Sequence, residues 1–175
     1  MAQNATLDGT SDRGGWTDES GGTSNIYTHA DGTSAGSDYI KGVVGFDSQP
    51  VGPAIFTLSD VTDPESASDH KIIYTAHVSA GGGGGAPGLT IALFEGSTQR
   101  HSTTNNSVST STPTEYTITL SSAEANSISD YSNLLLRVTN TGTTGSDITR
   151  VYNMYFQCGD APSSDAGAFL LFLDS

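Results

Sequence analysis

Several runs of this chain alternate apolar and polar residues with a period of two. In "HKIIYTAHVS" the residues Ile72, Tyr74, Ala76 and Val78 fall on one side of an extended strand. "LTIALF" groups Leu89, Ile91 and Leu93, and "EYTITL" groups Tyr116, Ile118 and Leu120. "NLLLRVTN" sets Leu134, Leu136 and Val138 against Arg137 and Thr139. Successive side chains of a strand point to opposite faces, so each run predicts a half-buried β-strand with these residues inward. Weaker candidates are "SNIYTH", "SDYIKG", "AIFTLS", "HSTTNNSVST" and "DITRVYNMYFQ". Together they give about nine strands separated by Gly, Asp, Asn and Pro clusters, the pattern of an antiparallel sandwich or jelly roll.

Helix is scarce. "SSAEANSI" carries Glu124 three residues after Ser121, the spacing of a capping box, and predicts one short crossover helix before the strand that begins near Tyr131. The expected fold is all-β: an antiparallel β-sandwich of jelly-roll type with that helix and extended N- and C-terminal arms. Residues 1–22 are polar and glycine-rich and read as an arm, 23–158 as the sandwich domain, and 159–175 as a linker followed by an apolar arm.

Size and charge narrow the picture. A chain of 175 residues is long enough to bury a core without cross-links. Nineteen acidic residues stand against 6 Lys and Arg, a formal net charge of -13, and the basic residues are scattered. Such a surface repels phosphate backbones and anionic membranes, so neither a nucleic acid nor a membrane is expected as a partner. Cys158 is the single cysteine, which excludes an intrachain disulfide and a cysteine-based zinc site. It reads as a small apolar residue near a strand end. The first residues lack the basic start and apolar core of a secretory signal, and the apolar run near the C-terminus is far shorter than the ~20 residues of a membrane-crossing helix. The expectation is a soluble protein made in the cytoplasm.

Candidate chemistry is sparse. "SAGGGGGAPG" runs into Pro87 and a strand, without the Lys-Ser/Thr and helix that a phosphate-binding loop needs, and reads as a hairpin loop. "DVTDPESASDH" offers Asp60, Asp63, Glu65 and Asp69 as oxygen donors but lacks the EF-hand frame, so it reads as a solvated turn. His29, His70, His77 and His101 show no metal-binding spacing and read as surface or rim residues, with His70 and His77 on opposite sides of one sheet. No nucleophile elbow is present, and Cys158 has no catalytic context. No catalytic residue, metal or cofactor is assigned, and no enzyme activity is expected. The sequons at Asn4 and Asn105 are chance matches in a chain rich in Asn, Ser and Thr. Trp16, Tyr27 and Tyr39 could stack on sugars or anchor the N-terminal segment to the core.

Taken together, the order of features resembles a small β-sandwich module of structural proteins in tailed bacteriophage virions. The residues carrying the resemblance are Trp16 in its Gly/Ser-rich lead, "SDYIKG", "FTLSDVTDP", "HKIIYTAHVS", "LTIALFEGS" and "EYTITLSSAEANSISDYSNLLLRVT". It implies a non-enzymatic virion component, made in the host cytoplasm, most simply a capsid decoration protein. Its partners would be the major capsid protein or other virion proteins, with a homo-oligomer in the particle. The alternative is a tail or fibre component with a carbohydrate-binding β-sandwich, an adhesin. The interaction residues expected on this reading are Trp16 and the run Phe169, Leu170, Leu171, Phe172 and Leu173, which follows a Pro/Ser/Gly/Asp linker and would add to a neighbouring subunit as a strand or plug, the alternative being a final strand that folds back over its own sheet edge.

Overall fold

A computed structural model describes residues 2–31, 38–43, 51–79, 88–141 and 147–162. Within them lie ten strands: β1 (Gln3–Asp12), β2 (Thr17–Asp18), β3 (Ile40–Val43), β4 (Ala54–Leu58), β5 (Lys71–Ser79), β6 (Leu89–Glu95), β7 (Thr98–Asn105), β8 (Thr114–Thr119), β9 (Leu134–Asn140) and β10 (Ile148–Cys158). Every pairing is antiparallel. The fold is an all-β sandwich of jelly-roll type.

One sheet runs β2–β3–β10–β5–β8, and the other runs β1–β4–β9–β6–β7. β1 belongs to both: Gln3–Thr6 pair with β10, and from Leu7 onward the strand pairs with β4, with register shifts after Leu7 and after Thr10. A bulge lets a strand turn from one sheet to the other, which is how a sandwich closes one edge. The stretch expected as an N-terminal arm is therefore in large part a sheet strand. "QNATLDGTSD" shows only Ala5 and Leu7 as apolar residues, both buried, and its place depends on backbone hydrogen bonds to β10 and β4 rather than on an apolar face.

The predicted inward residues form the core: Ile72, Tyr74, Val78, Leu89, Ile91, Leu93, Leu120, Leu134, Leu136 and Val138 are buried, while Tyr116 and Ile118, on the edge strand β8, pack partly buried against them. Phe56, Val151, Met154 and Phe156 fill the space between the sheets, each such side chain contributing roughly 1.5–3 kcal/mol. Helix α1 (Ser122–Ala125) crosses from β8 in one sheet to β9 in the other. Its capping box is formed as the spacing predicts: the Glu124 amide donates to Ser121 Oγ, and Glu124 Oε2 accepts from the Ser121 amide at 2.7 Å.

Other readings change. "SNIYTH" contains a 3-10 turn, Ile26–His29, rather than a strand, because Asn25 adopts a left-handed φ of 50° that breaks the extension. His70 is no surface residue. It is 1% exposed, its Nδ1–H donates to the Ser68 carbonyl, its Nε2 accepts from Tyr131 Oη at 2.6 Å, and Phe156 packs edge-on against its ring. His77 does lie on the opposite face of the sheet. Cys158 is buried, and burial pushes its thiol up to about 11, consistent with an inert packing role.

Candidate functional site

Trp16 does not face a partner. Its indole is fully buried, donates Nε1–H to the Gly52 carbonyl at 3.0 Å, and lies so close to Gly42 that a Cβ there would sit 2.9 Å from the ring. It fastens the segment after β1 to the rest of the chain, which removes it as an intermolecular contact. Phe169, Leu170, Leu171, Phe172 and Leu173 lie outside the described residues. The acidic loop brings no ligand set together among the described residues: Asp63 Oδ1 accepts from the Glu65 amide in a local turn, and Asp69 lies 3.8 Å from Lys71.

The outer faces of the two sheets each carry a group of aromatic and polar side chains. On the β10–β5 face, Tyr39 packs tilted against Tyr152 at 5.2 Å, His77 stacks on Tyr152 at 5.6 Å, and the Arg150 guanidinium lies 5.3 Å from the Tyr39 ring centre. The polar ends here satisfy one another. Arg150 donates to Ser79 Oγ at 2.8 Å and approaches His77 Nε2, so His77 carries its proton on Nδ1 and donates it to Tyr152 Oη. Gln157 donates to Asn4 Oδ1 in the same way. Burial, reinforced by the Arg150 charge, pulls His77 below its ordinary value. Of the sugar-stacking candidates, Tyr27 packs against the core and Tyr39 covers Tyr152.

The β4–β9–β6–β7 face differs. Strand pairing aligns Ile55, Arg137, Ala92 and Ser102 in one row across four strands, with Leu135, Phe94 and Gln99 in the next and Thr139, Thr90 and Thr104 beyond. Because Ala92 is the small member of its row, a depression opens beside it. A cavity of about 220 Å³ lies there, lined by Thr90, Ala92, Gln99, Ser102, Arg137 and Thr139. A second of about 250 Å³ lies across Arg137, lined by Ser11, Ile55, Phe94, Gly96, Ser97, Leu135 and Arg137. The two share Arg137 and form one trough from β1 to β7, four interstrand steps or roughly 19 Å.

The trough has an apolar floor and unspent polar groups. The half-buried Phe94 lies under the Arg137 guanidinium, whose Cζ is 5.9 Å from the ring centre, a cation–π contact. Arg137 Nε is shut off from solvent and has no hydrogen-bond partner. Its wall is built firmly. Gly96 and Ser97 form the two-residue turn between β6 and β7, with Gly96 at φ 55° and its amide donating to the Asn133 carbonyl. Next to it Glu95 is clamped by Arg100 at 2.9 Å and by the amide and hydroxyl of Ser129. Burial alone would raise the Glu95 carboxyl, but the Ser129 bonds and the Arg100 charge outweigh it and hold it lowered.

No family model and no curated protein matches the chain. Solved structures do. One is a xylan-binding module, CBM15, with a TM-score of 0.52 over 93% of this chain and 99% of that one, at 13% identity. The two share a fold. Weaker likenesses are a CBM61 module solved with β-1,4-galactotriose, at a TM-score of 0.40 and 9% identity over 71% of this chain and 73% of that one, and SGBP-B from a xyloglucan utilization locus in Bacteroides uniformis. The latter has a TM-score of 0.41 and 16% identity over 73% of this chain and 43% of that one.

Sequence reasoning placed Arg137 and Thr139 opposite the core residues of β9 but did not single them out as a site. Phe94, Gln99 and Ser102 escaped notice as well. What was missing was the strand order, since β9 stands beside β6 only after the chain has passed through β7, β8 and α1.

Proposed function

We propose that this chain is a non-catalytic carbohydrate-binding β-sandwich that seats a glycan chain along the β4–β9–β6–β7 face. The observation carrying this reading is the trough itself: the half-buried Phe94 ring and the Arg137 guanidinium lie together in it, with Gln99, Ser102 and Thr139 along the same line. Sugars present apolar C–H faces and a fringe of hydroxyls. A ring such as Phe94 takes the first, and planar donors such as Arg137 and Gln99 take the second. Among the described residues, the side chains lining the trough include no carboxylate, histidine or cysteine, so these offer binding groups without an acid–base pair. The shared fold with a xylan-binding module supports the same reading. This is the sequence-based alternative, and a tail or fibre adhesin would be one setting for it. The shell-decorating reading came from a resemblance and gave the shell contacts to terminal arms, of which the N-terminal one is largely a sheet strand and the C-terminal run lies outside the described residues.

Electrophoresis through native gels containing xylan, β-1,4-galactan or xyloglucan tests the proposal. At least one polysaccharide should retard the protein, and Phe94→Ala or Arg137→Ala should abolish the retardation. Migration unchanged by the whole panel, or retardation that survives both substitutions, would overturn it.

A further inference from the structure

A cluster of ionisable side chains lies away from the trough, beside β2 and β3. Glu19 follows β2, His29 ends the 3-10 turn, and Asp38 precedes β3. His29 Nδ1 contacts Asp38 Oδ1 and lies 3.0 Å from Glu19 Oε2. One ring N–H cannot be well aligned on two carboxylates at once. It is directed to Asp38, and Glu19 Oε2, although within ion-pair distance, is shut off from solvent with no hydrogen-bond partner. Across the ring, His29 Nε2 faces Asp18 Oδ2 at 3.9 Å. The other Asp18 oxygen is fixed by the amides of Ser20 and Gly22 and by the Ser20 hydroxyl. Three carboxylates thus surround an imidazole that can carry one positive charge, and the nearby Lys41 ammonium donates to the Glu19 main-chain carbonyl at 2.8 Å.

We infer that Glu19, His29 and Asp38 form a binding site for a first-row divalent transition-metal ion such as Zn2+, with Asp18 as the outer carboxylate that orients the histidine. The ligand atoms of the three lie within 4.8 Å of one another, the spread of a single coordination shell. A metal at Nδ1 replaces the proton contested by two carboxylates and gives the orphaned Glu19 oxygen a partner. The Nε2 edge faces Asp18 Oδ2 at 3.9 Å, beyond hydrogen-bond reach but placed so that a small approach would complete the carboxylate–histidine–metal arrangement that fixes ring orientation at such centres. A nitrogen with two oxygens suits Zn2+ and its neighbours, whereas Ca2+ and Mg2+ take oxygen shells. The side chains are about a quarter to a third exposed, leaving room for water at a fourth position. The ion would clasp three separate segments together at the sheet edge formed by β2 and β3.

Calorimetric titration of the full chain, first stripped with a chelator, with Zn2+ provides the test, alongside thermal melting. One Zn2+ per chain is expected, with melting raised by roughly 5–10 °C at about a hundredfold excess over Kd. His29→Ala and the isosteric Glu19→Gln and Asp38→Asn should each weaken binding at least tenfold, while His101→Ala leaves it intact. The two isosteric variants keep the test decisive if His29→Ala fails to fold. Absence of saturable Zn2+ binding, binding indifferent to Glu19→Gln and Asp38→Asn, or stabilisation by Ca2+ but not Zn2+ would overturn the inference.

Discussion

The two outer faces of the sandwich carry similar residue types and use them oppositely. On the β10–β5 face Arg150 has Ser79, His77 has Tyr152, Gln157 has Asn4, and Tyr39 lies over Tyr152, which is 7% exposed. On the β4–β9–β6–β7 face Arg137 has an aromatic ring beneath it but no acceptor for its Nε. A face whose polar groups satisfy one another is finished by folding. One that leaves open depressions around a half-buried ring and a guanidinium has room for something else. The composition of an aromatic and cationic patch therefore says less about binding than the state of its hydrogen bonds does.

Substitutions that separate packing from binding break this comparison most sharply. Tyr152→Ala should cost roughly 3 kcal/mol of stability, because it empties a covered position, and should leave polysaccharide retention unchanged. Chemical denaturation and affinity electrophoresis measure the two effects. Arg137→Ala should do the reverse. A hydrogen bond to a charged group is worth about 1.5–3 kcal/mol, so glycan affinity should fall roughly 10–100-fold, while stability stays the same or rises as an unpaired buried donor is removed.

Helix α1, which joins one sheet to the other, gives a smaller and pH-dependent effect. The Ser121 hydroxyl and amide, and then His101 Nδ1, hold the Glu124 carboxyl down to about 2 from an ordinary 4.5. A carboxyl lowered in the folded state contributes stability that is fully present above about 4.5 and is lost as pH falls toward 2. Glu124→Gln should cost about 1 kcal/mol at neutral pH and flatten that acid limb of a melting-temperature profile. His77 gives the smallest effect, with the window shifted upward. Its folded value is below 6.5, so the unfolded chain binds the proton more tightly and stability falls as pH drops through 6.5. His77→Gln should remove that sag. Glycan retention should stay flat over the same range, since none of the side chains lining the trough is a histidine, cysteine or carboxylate.

The contrast between faces also explains what the sequence made legible. Period-two alternation reports which side of a strand is buried, and it located the core residues of β5, β6 and β9, while the Ser121–Glu124 spacing located the capped turn. It is silent where burial comes without alternation. β1 is held by hydrogen bonds on both flanks, Trp16 is enclosed by glycines, and His70 is kept inside by Tyr131 and Ser68. The outward residues are harder still, because Arg137 becomes a site only when register places it beside Ala92 and near Phe94. Glu19, His29 and Asp38 come from separate segments with no motif spacing, so nothing along the chain announced their meeting.

Backbone amide NMR of the protein titrated with the oligosaccharide corresponding to the polysaccharide that retards it tests the central claim most directly. Shifts confined to residues 11, 55, 90–102 and 135–139 are the predicted result. Perturbations centred on Tyr39, His77, Arg150 and Tyr152 would contradict the account and make the closed face the binding one.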